Sequence, residues 1–329
     1  MNLYEQQTAN RRRTWLIMAA FVALLFLLGA GFDAFYLGEV GGAAPVGSMI
    51  ALAVGSVSAL VSYYGGDRAV LLATGAKPIA EVAAAAGEDQ RLKLRQLDNV
   101  VDEMAIAAGL PRPAVYVVPD PDPNAFATGR GPGHASIAVT QGLLDSLDRE
   151  ELQGVVAHEM SHVRNLDVRV MTLVAALVGG VALLSDWARR GMMWGGGRRR
   201  SNDDRGGSGL AGVLLFAVWL VAILLAPLLA QALAMMVSRR REYLADASGA
   251  ELTRNPLGLA GALEKIDAAT APTASINRGS AHMCIADPLG RQMNLTGGTW
   301  SNLFASHPPM ASRIAALKEM AFQFQGGGR

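Results

Sequence analysis

With a single cysteine, Cys284, the chain closes no internal disulfide, and it has no Cys-x-x-Cys pair for a zinc knuckle or redox centre. Any metal must therefore be held by histidine and carboxylate. Aromatic residues make up only 6% of the chain and the formal net charge is only +1. That leaves neither the basic excess nor the aromatic-basic interleaving of a nucleic-acid binder, so no nucleic-acid partner is expected. Charge of either sign is scarce as well. Charged residues are 17% of the chain against 51% hydrophobic, and the mean hydropathy of +0.26 is too apolar for an ordinary soluble domain.

What fills the space is hydrophobic sequence in long runs. Residues 15–32 and 41–66 carry no charge, and a span needs only about 20 residues. Arg11, Arg12 and Arg13 precede the first run, Asp33 and Glu39 lie between the two, and Arg68 and Lys77 follow the second. The positive-inside rule then predicts a membrane hairpin, residues 1–66, with both ends in the cytoplasm. Two later runs, 170–184 and 210–237, flank a Gly- and Arg-rich loop at 189–208. The arginines there oppose export, so either a basic loop is translocated or the pair, 170–237, dips in and returns. Both routes bring the chain back to its starting side.

The polar stretches 67–169 and 238–329 are expected to form the two parts of one catalytic domain. Leu94, Leu97, Val101, Met104 and Ala108 recur at threes and fours before Gly109 and Pro111, predicting an amphipathic helix over 90–108. β-rich runs at 114–118 and 136–140 predict strands of a small sheet. Asp148 with Glu151 three residues on forms a capping box for a helix that continues through His158 and His162. The expected fold is mainly α with a small β-sheet (α+β), in a multi-pass membrane protein.

His158-Glu159-Met160-Ser161-His162 reads His-Glu-x-x-His. On a helix, positions i and i+4 share a face, so two imidazoles can hold one ion while Glu159, about 100° round, reaches a water without ligating. A catalytic zinc site needs a third protein ligand from elsewhere. Glu242 meets that need, and Asp246, one turn beyond it, can orient a ligating histidine through its second ring N–H.

These residues resemble the HtpX-like membrane zinc metalloproteases, relatives of the CAAX prenyl endopeptidases. The resemblance rests on Asn124-Ala125-Phe126-Ala127-Thr128-Gly129, the His158–His162 helix, Arg240-Arg241-Glu242-Tyr243-x-Ala245-Asp246, and Ser306-His307-Pro308-Pro309 followed by Arg313-Ile314. It implies a zincin-like domain with one Zn2+ per chain on His158, His162 and Glu242, and Glu159 as catalyst. It further implies protein quality control at the inner (plasma) membrane, with the catalytic domain facing the cytoplasm and unfolded or membrane proteins as substrates. Asn124 would border the substrate cleft, with His307 and Arg313 near the site as candidate substrate or transition-state contacts. A prenyl-protein endopeptidase and a non-catalytic zinc-binding scaffold are the alternative readings. Oligomeric state, natural substrates and regulators are not legible in the sequence.

Overall fold

The computed structural model describes residues 3–33, 46–177, 239–269, 273–276, 281–286 and 308–326. The later hydrophobic pair beyond residue 177, the 189–208 loop and His307 lie outside these residues.

Helices α1 (Leu3–Phe32) and α2 (Val46–Ala73) lie antiparallel. Trp15 stacks on Tyr63 at 6.2 Å, a Cβ on Gly55 would meet Leu25 at 3.2 Å, and the Ser48 amide and hydroxyl donate to Asp33 Oδ2 at 2.7 and 2.6 Å. The first run was expected to begin at residue 15, but no Gly or Pro interrupts the chain before it, and α1 starts at Leu3. At the other end α2 outruns residue 66 and closes where Gly75 takes φ +65. Apolar side chains point outward on both helices, among them Trp15, Leu16 and Leu27 on α1 and Met49, Ile50, Val57 and Val61 on α2. Among the described residues one helix, Ser48–Ala73, is long and apolar enough to cross a membrane. The polar first half of α1 sits in the same helix as its apolar second half.

Strands β1 (Lys77–Pro78), β2 (Ala114–Val118), β3 (Ala125–Gly129) and β4 (Ala135–Thr140) form a mixed sheet in the order β1-β2-β4-β3. β2 and β4 are parallel, and β3 pairs antiparallel with β4 from Ala125↔Val139 to Gly129↔Ala135. The two strands expected from sequence are present, and β1 and β3 are additions. Both faces of the sheet are covered. Val115, Val117, Ile137 and Val139 pack with Leu94, Leu97, Val101 and Met104, whereas Val118, Phe126 and Ala138 pack with Val70 and Leu71 of α2 and with Met171 and Ala175.

Helix α3 (Ile79–Ala85) leads into α4 (Glu88–Ala108), the expected amphipathic helix, closed by Gly109 at φ +65. After α5 (Gln141–Ser146), helix α6 (Arg149–Arg164) starts on the Asp148–Glu151 capping box with both reciprocal bonds made. Leu166 at φ +59 breaks the helix, and residues 167–177 resume as α7. This first part of the third apolar run is buried, with Leu173 and Leu177 packed against Met18 and Ala59. Helices α8 (Arg239–Thr253), α9 (Pro256–Ala268) and α10 (Met310–Gly326) complete the domain around α6. The described fold is thus mostly helical with a small mixed sheet.

Candidate metal centre

α6 is buried along nearly its whole second half, and His158, Glu159 and His162 are each at most 3% exposed. The four-residue spacing sets the two imidazoles edge to face, with Nε2 atoms 3.3 Å apart. α8 crosses beside them because Gly249 carries no side chain. A Cβ there would stand 3.0 Å from the His158 amide nitrogen and 3.2 Å from its Cα. That close approach puts Glu242 Oε2 3.8 Å from His158 Nε2 and Oε1 3.6 Å from His162 Nε2. The three ligand atoms lie within 4.8 Å of one another, a spacing that one ion can occupy. Two imidazoles and a carboxylate form the donor set of a catalytic site that leaves a position for water.

Each imidazole has a carboxylate behind it. Asp246 Oδ1 is 2.9 Å from His158 Nδ1, though off the ideal hydrogen-bond direction, and Asp167 Oδ2 is 3.3 Å from His162 Nδ1. Such carboxylates fix ring orientation and leave Nε2 as the ligating atom. Burial lowers the His158 pKa and favours the neutral ring. For His162 burial acts the same way, but the Asp167 hydrogen bond and the Glu242 charge outweigh it and raise the pKa to about 9. A divalent ion entering the trio takes the place of that proton.

Neither Glu159 oxygen makes a well-aligned hydrogen bond among the described residues, and the Ala127 backbone of β3 lies against the carboxylate. Burial pushes its carboxyl up to about 7, with the Glu242 charge adding and His162 opposing. A carboxyl poised near neutrality beside the ligands suits proton transfer.

Residues 91–321 match Peptidase family M48. The chain belongs to that family. It is 41% identical over 318 residues to a protease HtpX homolog of Streptococcus gordonii, covering 97% of this chain and 100% of the relative. With an HtpX homolog of Caldanaerobacter subterraneus the identity is 42% over 321 residues, 97% of this chain and 98% of the relative. A looser structural likeness, at TM-score 0.45 and 18% identity, is to the crystal structure of S. mikatae Ste24p, covering 95% of this chain and 67% of that one. Membership of the M48 family makes this chain a membrane-bound metalloprotease, and the His-His-Glu trio is where its metal fits.

The other site candidates fall in different places. Arg313 is fully buried; its Nε and one Nη donate to the two Asp246 oxygens at 2.8 and 2.7 Å, and its second Nη donates to the Ile285 carbonyl at 2.7 Å. Its guanidinium therefore faces protein and positions Asp246. Asn124 is also buried. Its Nδ2 donates to Thr273 Oγ1 and to the Ala286 carbonyl, both at 3.2 Å, and its Oδ1 accepts from the Ala125 amide at 3.0 Å. It fastens segments 273–276 and 281–286 to the start of β3. Asp167 was missed by the sequence reading. The signal available was a carboxylate five residues past the second histidine, which only the positive-φ turn at Leu166 swings back towards the ring.

Proposed function

We infer that the chain is a zinc endopeptidase that hydrolyses unfolded or membrane proteins at the cytoplasmic face of the inner membrane. The observation that carries this reading is the convergence of His158, His162 and Glu242 beside a buried Glu159. Zinc suits two imidazoles and one carboxylate, and when bound it lowers the pKa of water from 15.7 towards about 7 and polarises a carbonyl. Glu159 takes the proton from the attacking water and returns it to the leaving amine. Asp246 and Asp167 hold the two rings in register while this happens.

Main-chain recognition supports a preference for extended, unfolded segments. On the free side of β3 the Ala125 carbonyl accepts from the Ile285 amide at 2.9 Å, and the Gly129 amide donates to Thr172 Oγ1 at 2.9 Å. By strand alternation the main chain of Ala127 faces the same edge between them, beside the Glu159 carboxylate, and this is where a substrate strand would pair. Glu159→Gln is expected to retain one zinc per chain while casein cleavage falls by at least ~10²-fold. Wild-type turnover in that variant, or turnover indifferent to chelator in the parent, overturns the reading. Cleavage confined to a prenylated peptide would redirect it to a prenyl-protein endopeptidase.

A further inference from the structure

Gln7, Asn10 and Thr14 lie on one face of α1, at helical spacing, while Arg11, Arg12 and Arg13 between them are exposed. This polar face does not meet lipid. Gln7 Nε2 donates to the Arg164 carbonyl at 2.8 Å, and Asn10 Nδ2 donates to the Asn165 carbonyl at 2.9 Å. Both acceptors stand at the end of α6, where helix geometry leaves carbonyls without intrahelical partners.

Capping alone does not account for Asn10. Its Nδ2 also donates to Asp167 Oδ1 at 2.8 Å, and the other oxygen of that carboxylate is the one beside His162 Nδ1. Asn10 and Asp167 are both fully buried, so the bond is made without competing water. Arg241, the neighbour of Glu242, brings an Nη to the same Oδ1 at 3.4 Å. One carboxylate therefore joins α1, the His-Glu-x-x-His helix and the helix of the third ligand.

We propose that Asn10 is a positioning residue of the metal centre, through which the N-terminal helix holds Asp167 and thereby sets the orientation of the His162 ring. Because α1 continues into the apolar hairpin, displacement of α1 from α6 leaves that Asp167 oxygen to the longer Arg241 contact alone and loosens the hold on one of the ligands. The inference rests on His162 being a zinc ligand.

The test uses the full chain in detergent micelles, with zinc affinity measured by competition against a chelating dye and the site geometry read from the visible spectrum after Co2+ substitution. Asn10→Ala is expected to weaken zinc binding about tenfold and to shift the Co2+ bands, the scale on which outer carboxylate partners act. In an Asp167→Asn background the same substitution should cause no further loss, since the path it acts through is already cut. Thr14→Val, which removes a hydroxyl that donates within α1 to the Asn10 carbonyl, should leave affinity and spectrum unchanged. If the alanine variant does not fold, Asn10→Asp keeps the shape, removes the donor and should weaken binding at least as much. Wild-type affinity in both Asn10 variants, or the same loss in both backgrounds, overturns the proposal. Should His162→Ala bind zinc as tightly as the parent, the ligand assignment fails and this inference with it. Loss of zinc in His162→Ala beside full binding in the Asn10 variants overturns this inference alone.

Discussion

Asp246 answers to two partners, the Arg313 guanidinium that grips both its oxygens and the His158 ring at 2.9 Å. Burial pushes its carboxyl up, but the charge and hydrogen bonds of Arg313, with His158 adding, outweigh burial and hold it at about 2, below the ordinary 3.8. A carboxyl depressed by folding contributes stability that is complete above its unfolded pKa and lost as pH falls through the folded one. The window here is therefore about pH 4 down to about pH 2. Asp246→Asn should remove this component, so that its melting temperature falls less steeply than the parent's across that window. At neutral pH the same variant leaves buried Arg313 with only the more distant Glu242 carboxylate, at 3.8 Å, as counter-charge and should be less stable by up to about 3–5 kcal/mol. Thermal melts at a series of pH values read both effects, and a variant with the parent's acid slope would show that Asp246 is not the titrating group.

Between elements, the decisive contact is the approach of α8 and α9 to α6. A Cβ at Gly249 would press on His158 backbone at 3.0 Å, and one at Gly154 would stand 2.7 Å from the Leu259 amide nitrogen. Backbone atoms cannot rotate aside, so the helices themselves must part. Gly249→Ala should cost about 1–3 kcal/mol and, by moving Glu242 away from the imidazoles, weaken zinc binding. Gly65→Ala, where nothing lies within 4 Å, should do neither. Chemical denaturation together with dye competition separates the two, and unchanged zinc affinity in Gly249→Ala would show that the third ligand tolerates a wider gap. These glycines also mark where sequence reading stops. The capping box of α6, the His158–His162 face and the buried stripe of α4 were legible because each depends on residues a turn or so apart. β3 was not, because its Ala-Phe-Ala-Thr-Gly run is buried on both faces and shows no polar alternation. Arg313 and Asp246 meet from opposite ends of the catalytic domain's second half, and local spacing carries no trace of such a partnership.

Across the molecule, the hairpin has a wet end and a dry one. Trp15, Tyr63 and Tyr64 cluster at one level, with Arg169 over the Tyr63 ring at 5.9 Å and Arg130 over Tyr64 at 5.2 Å. Aromatic and basic side chains gathered in this way suit the level of lipid headgroups. From Trp15 to Asp33, α1 rises about 27 Å at roughly 1.5 Å per residue, close to the ~30 Å of a bilayer's hydrocarbon core. The buried Asp33, bonded to Ser48, ties the two helices together at the end away from the aromatic cluster. Everything that holds the metal site lies beyond the aromatic level: Gln7 and Asn10 precede Trp15, and the sheet begins just after α2 at Lys77. If Arg11, Arg12 and Arg13 keep their end of α1 inside, Lys77, which is exposed, must be cytoplasmic too. In a Lys77→Cys variant a membrane-impermeant thiol reagent should label inverted membrane vesicles and spare intact spheroplasts, since Cys284 is buried. Labelling from the outside would invert the hairpin, place the protease on the far side of the membrane, and remove cytoplasmic proteins from its substrates.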